Sequence, residues 1–182
     1  QIYNNNNINL IFADYRGYGF SNGEPNIENL QCDCHFILDF LIKYFKKNDY
    51  KGNLVLMGRS LGSASVIELS KRYPQDFTKL IIESGFANED PLLKLIGIND
   101  KFTEHNQNFG FHNQNKIKKY NGPLLIIHAE LDNIIPFNQA QILYNSSPSN
   151  NKNIIQIANA NHNNILTINP KKYFAEIISF IK

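Results

Sequence analysis

A serine held between two glycines is the first residue in this chain whose setting could do chemistry. Gly58-Arg59-Ser60-Leu61-Gly62 fits the pattern G-x-S-x-G, preceded by the apolar run 53–57 and followed by helical spacing over 63–73 until Pro74 stops it. Strand, sharp turn and helix in that order put Ser60 at the tip of a strained turn, with its hydroxyl above a sheet. A Cβ at position 58 or 62 is expected to clash with the turn or the helix behind it, so glycine is required at both. The N–H of Leu61, opening the new helix, points into the same space and is a candidate donor to an oxyanion.

A serine hydroxyl becomes a nucleophile when a base takes its proton and a carboxylate holds that base in the right tautomer. Asp132 and His162 stand in loops that follow the predicted strands 124–128 and 153–158, on the same edge of the sheet as Ser60. Other residues compete for these roles. His128 ends its strand and reads as a packing residue beside the Asp132 loop, while His35, His105 and His112 fall in a helix or an irregular stretch. Glu83 ends the strand 79–83 and is an alternative acid, ranked behind Asp132. Asp14 also ends an apolar run, and Arg16 beside it suggests a structural ion pair or loop hydrogen bonds.

The elements that must position these side chains alternate. Residues 8–13 read as a compact buried strand, and Pro25 introduces a helix over 27–47 with Leu30, Cys34, Ile37, Leu41 and Phe45 as one apolar stripe packed on the sheet. After the strand 79–83, residues 88–120 lose this rhythm and read as a small cap or irregular excursion with a short helix at 91–96. A helix over 136–144 and a last one over 173–181, with Phe174, Ile177, Ile178 and Ile181 inward, complete the chain. Strands and helices in alternation imply a mostly parallel sheet with helices on both faces, a three-layer α/β/α arrangement, with residues 1–182 as a single domain.

Composition excludes several classes. The 182 residues are 42% hydrophobic and 19% charged, as in a globular protein, and the net charge of +2 is too small to imply a nucleic-acid partner. The basic stretch Lys116-Ile117-Lys118-Lys119 reads as a solvated helix face. Cys32 and Cys34 diverge on a helix, which suits neither zinc nor a disulfide, so both read as thiols with Cys34 in the core. No apolar run approaches the roughly 18 to 20 residues of a membrane span. No signal peptide is visible, which favours the cytoplasm, although the chain begins with Gln1 rather than Met and is compatible with a targeting segment upstream.

Taken together, Asp14-Tyr15-Arg16-Gly17-Tyr18-Gly19, Gly58-Arg59-Ser60-Leu61-Gly62, His128-Ala129-Glu130-Leu131-Asp132-Asn133-Ile134-Ile135-Pro136 and Asn161-His162-Asn163 resemble the serine-hydrolase branch of the α/β-hydrolase superfamily. Within it the chain is most similar to small, short-capped α/β-hydrolase-domain proteins, a group that includes protein depalmitoylases and related esterases. The order Ser, Asp, His is the one expected there. The resemblance implies Ser60 as nucleophile, His162 as base, Asp132 as acid and the Leu61 N–H as an oxyanion donor, with no cofactor and no metal. Its implied partner is a small-molecule or acylated substrate.

Departures from the family pattern are specific. Ala129 and Ala160 stand where glycine is usual. The earlier strands, and the His-Gly loop that carries the second oxyanion donor, have no counterpart. The chain therefore reads as starting in the middle of the fold, with an exposed apolar sheet edge, and as a fragment of an active enzyme. Loss of one such donor typically lowers turnover about 10² to 10³-fold. The expected activity is hydrolysis of an ester, a thioester or an amide through an acyl-enzyme. A serine peptidase and a non-catalytic binding module of the same fold are the alternatives.

Overall fold

Short runs of Ile, Leu and Val become buried parallel strands when each can hydrogen-bond to a neighbour and hide both faces. The computed structural model describes residues 1–95 and 110–182, and in it parallel strands form at Val55–Arg59 (β1), Lys79–Glu83 (β2), Leu124–Ala129 (β3) and Lys152–Ile157 (β4), of which β2 and β3 are buried on both faces. The strands lie in the order β1-β2-β3-β4, all parallel, with Leu56 opposite Leu80, Leu80 opposite Leu124 and Leu124 opposite Lys152. The first of them, β1, forms an edge of the sheet, where Met57 is 39% exposed.

The helices follow from the same alternation. Ile27–Lys47 (α1) precedes β1, and Gly62–Arg72 (α2) joins β1 to β2. Asp90–Leu95 (α3) and Asn113–Ile117 (α4) lie between β2 and β3, Phe137–Ser146 (α5) joins β3 to β4, and Ile165–Ile168 (α6) and Pro170–Ile181 (α7) follow β4. Successive side chains of a strand point to opposite faces, so the core divides in two. Leu80, Ile82, Leu124 and Ile126 pack on one face against Val66 and Ile67 of α2, Ile117 of α4, and Ala140 and Leu143 of α5. On the other face, Ile81, Leu125, Ile127, Ile155 and Ile157 meet Ile165 of α6 and Tyr173 and Ile177 of α7, with Tyr3 alongside. Two covered faces make the three-layer α/β/α fold.

Three expectations change. Residues 8–13 form no strand, and Leu10, Ile11 and Phe12 are 46%, 51% and 86% exposed. An apolar run becomes a strand only beside a partner strand, and none pairs with it among the described residues. The buried stripe of α1 is Leu30, Cys34 and Leu38, continued by Ile42, with Cys34 and Leu38 packed against Leu69 of α2 and against Leu54 and Leu56. Asn26 starts that helix by accepting the Asn29 N–H at 2.7 Å.

Lys116 is not on a solvated face. It is buried in α4 with its ammonium 2.6 Å from Glu68 of α2, while Lys118 and Lys119 remain exposed. The expected cap at 88–120 is described only at its ends. Its central residues 96–109, including His105, lie outside the described residues. Glu89 closes the base of this segment by accepting the Phe111 and His112 N–H groups.

Burial pushes the Glu68 carboxyl pKa up, but the Lys116 ammonium, helped by Lys71 and His35, pulls it below its ordinary value. Removing the cation strands a buried carboxylate, a loss of about 3 kcal/mol or more. Lys116→Met therefore lowers the urea midpoint, and Glu68→Gln in the same chain recovers most of the loss. Equal midpoints for the wild type and Lys116→Met would show that the pair carries no stability.

Candidate functional site

At the carboxyl end of β1 the backbone reverses through Ser60, whose φ of +51° is a left-handed conformation that L-residues rarely hold. Hydrogen bonds on both sides fix it. The Ser60 N–H donates to the Glu83 carbonyl at 2.9 Å, and the Ser60 carbonyl accepts the Ser63 N–H at 2.9 Å. Leu61 then caps α2 with an ordinary helical φ of −55°. A Cβ on Gly58 would lie 2.4 Å from the Gly62 carbonyl oxygen and 2.6 Å from Cγ2 of Val66. Around Gly62 the space is open, with nothing within 4 Å of an added Cβ, so only the first of the two glycines is sterically required.

The structure brings Ser60, His162 and Asp132 together. Nε2 of His162 lies 2.9 Å from Oγ of Ser60, and Nδ1 lies 2.8 Å from Oδ2 of Asp132. With Asp132 ionised, the ring can share only a proton on Nδ1 with it, which leaves Nε2 as acceptor for the Ser60 hydroxyl. The other carboxylate oxygen, Oδ1, accepts the Ile134 and Ile135 N–H groups at 3.1 and 2.8 Å. The Asp132 side chain is fully buried, whereas Ser60 is half-buried and open to a reactant.

Two loops carry the acid and the imidazole, and they are tied to each other. The Glu130 and Leu131 N–H groups donate to the carbonyls of Ile157 and Ala160, and the Asn159 N–H donates to the Glu130 carboxylate at 2.8 Å. Ala129 and Ala160 are fully buried in the core on the α7 face. His128 is a buried neighbour: its Nε2–H donates to the Ile135 carbonyl at 2.7 Å and its ring meets Phe137 edge-on. Burial lowers its pKa against the opposing pull of the Ile135 carbonyl and the Asp132 carboxylate.

The remaining candidates go elsewhere. Glu83, the alternative acid, accepts from Nε of Arg59 at 3.1 Å and from the Tyr173 hydroxyl at 2.6 Å. Arg16 pairs with Asp33 of α1 rather than with Asp14, whose main-chain carbonyl accepts the Ser21 hydroxyl. That ion pair anchors the loop which, with Pro25, Asn26, Ile27 and Leu30 of the α1 entry, Leu61 and Phe111, walls a cavity of about 210 Å³. The sequence pattern missed the contacts of Arg59 and Tyr173. Arg59 sits inside the G-x-S-x-G pattern, and the signal that finds its partner is the β1–β2 register, which pairs it with Glu83.

Comparison with known proteins now bears on this arrangement. The family model described as serine aminopeptidase, S33, matches residues 2–97. Alpha/beta hydrolase domain-containing protein 17C of Xenopus tropicalis is 29% identical over 145 residues, 78% of this chain and 43% of that protein. The human protein of the same name is 28% identical over 145 residues, 78% of this chain and 40% of its own length. The chain thus spans less than half of the curated relatives it matches. An esterase of Pyrococcus furiosus superposes with a TM-score of 0.72 at 17% identity, over 92% of this chain and 68% of that one. A soluble variant of monoglyceride lipase from Saccharomyces cerevisiae gives 0.66 at 14% identity, over 93% and 75%. These likenesses show the fold.

Burial raises the Asp132 carboxyl pKa, but the bonds from His162 and the Ile135 N–H, with the nearby imidazoles, together hold it below its ordinary value. A carboxyl lowered on folding contributes stability that is present above its unfolded pKa, about 4, and is lost as pH falls through the folded value. Urea titrations below about pH 4 therefore show a steeper loss of stability in the wild type than in Asp132→Asn; parallel slopes would remove Asp132 from the acid response. The two glycines separate in the same assay. Gly58→Ala loses about 1 to 3 kcal/mol, and Gly62→Ala stays within about 1 kcal/mol of the wild type. Equal losses would contradict the steric difference between the two positions.

Proposed function

Because the chain belongs to the serine aminopeptidase S33 family of the α/β-hydrolase superfamily, we propose that it carries the reacting centre of a serine hydrolase that cleaves an ester or thioester through an acyl-enzyme. The observation that carries this reading is the continuous hydrogen-bonded line from the Ser60 hydroxyl through the His162 ring to the buried Asp132. His162 takes the Ser60 proton as Oγ attacks the acyl carbon, and Asp132 stabilises the imidazolium that forms. The Leu61 N–H, at the start of α2, donates to the developing oxyanion. His162 then protonates the leaving group, the acyl–oxygen or acyl–sulfur bond breaks, and water activated by the same ring releases the acid and restores Ser60.

The apolar cavity beside Leu61 supports an acyl group of moderate size. At about 210 Å³ it is larger than the roughly 150 Å³ that holds a benzene ring. No cofactor or metal takes part in these steps. The name of the matching family model favours a second reading, cleavage of a peptide bond by the same serine.

Labelling with a fluorophosphonate probe tests the centre. Ser60 is modified in the wild type, Ser60→Ala is not, and His162→Ala labels far more slowly than the wild type. A folded wild type that fails to label, or a folded His162→Ala that labels at the wild-type rate, would remove the hydrolase reading and leave the binding-module alternative. Short acyl esters turning over faster than peptide anilides separates esterase from peptidase, and the reverse ranking would favour the second.

A further inference from the structure

On the α7 face of the sheet, beneath the reacting serine, four polar contacts meet on one pair of cross-strand neighbours. Arg59 ends β1 and Glu83 ends β2, directly opposite in register. Glu83 is 5% exposed, and each of its polar ends is used: the main-chain carbonyl takes the Ser60 N–H at 2.9 Å, Oε1 takes Nε–H of Arg59 at 3.1 Å, and Oε2 takes the Tyr173 hydroxyl at 2.6 Å. The free arm of the Arg59 guanidinium reaches further, donating from Nη2 to the main-chain carbonyl of His162 at 2.5 Å.

We propose that Arg59, held by Glu83 and Tyr173, is a positioning residue that sets the distance between Ser60 and His162. This inference rests on the serine-hydrolase reading. Asp132 fixes the His162 ring through Nδ1, but a ring held at one nitrogen still moves with its backbone. Arg59 supplies the second restraint, and it does so from the residue next to Ser60 itself. Nucleophile and imidazole are thereby referred to one buried residue: Glu83 grips Ser60 through its main-chain carbonyl and the His162 backbone through its carboxylate and Arg59.

An exposed ion pair by itself contributes little, and the Arg59 side chain is 46% exposed. The geometry asks for something else. A planar guanidinium donates along two directions at once, from Nε down to the carboxylate and from Nη2 across to a carbonyl, whereas an ammonium on a flexible stem does not hold both in one plane. The residue type therefore matters beyond its charge, which a merely electrostatic or structural role would not require.

The test compares wild type, Arg59→Met, Arg59→Lys and Ser60→Ala on a short acyl ester, together with the NMR signal of the His162 Nδ1 proton. A shift of about 1 Å between reacting groups is enough for a hundredfold loss. Arg59→Met and Arg59→Lys are both expected to lower kcat about tenfold to a hundredfold with KM within about twofold and to broaden or shift the His162 signal. The lysine, which leaves a cation beside Glu83, keeps the unfolding midpoint, whereas the methionine also lowers it. Unchanged kcat with an unchanged signal overturns the proposal, as does full recovery by lysine or a loss confined to KM. If the wild type is as inert as Ser60→Ala, the hydrolase reading falls. In that case the His162 signal alone decides the tie: a shift in Arg59→Met upholds it, and an unmoved signal ends it.

Discussion

The left-handed backbone at Ser60 is the constraint on which the rest of the structure turns. Such a conformation costs on the order of 1 to 3 kcal/mol in a residue with a Cβ, so it persists only where its surroundings leave no alternative. Here β2 provides the acceptor for the Ser60 N–H, α2 provides the donor for its carbonyl, and Gly58 leaves room for the chain to double back. Each depends on parallel pairing in one register, since a slip of a single residue would carry Glu83 to the opposite face. The interior strands that enforce this register are buried on both sides.

The two faces of the sheet have different tasks. One is filled by α2, α4 and α5, with a buried Lys116–Glu68 pair between two of those helices. The other is closed by α6 and α7, and there the core reaches the site directly, because Tyr173 is both a packing residue and the donor to Glu83. Burial and the adjacent carboxylate push the Tyr173 phenol pKa far above its ordinary value, so it remains a donor throughout the neutral range. Helix docking and the geometry around Ser60 are thus one event on this face.

Much of this was legible from residue order. β2 falls on the residues its apolar run marks, and Ser60, Asp132 and His162 meet because loops at the carboxyl ends of parallel strands share one edge of the sheet. What periodicity could not supply is the partner. Residues 8–13 have the composition of a buried strand, yet burial requires a neighbour that composition does not name. The stripe of α1 turned by about one position because the helix leans on α2. Lys116 resembles its solvated neighbours until Glu68, far away in sequence, is placed opposite. The openness around Gly62 likewise depends on the path of the chain after Ser60, which a pattern of small residues cannot distinguish from crowding.

The side-chain bonds that couple Ser60 to an imidazole and steady Glu83 join distant parts of the chain: Ser60 and Arg59 to His162, Glu83 to Tyr173. On the ribosome this imposes an order of events. A nascent chain made as far as residue 150 already contains the serine, its strained turn, the strands β1 to β3 and Asp132, but neither the imidazole nor the tyrosine that steadies Glu83. It can bury most of one core while its hydroxyl remains uncoupled from any base. The coupling of Ser60 to an imidazole therefore waits until residues 162–181 have been made and have docked.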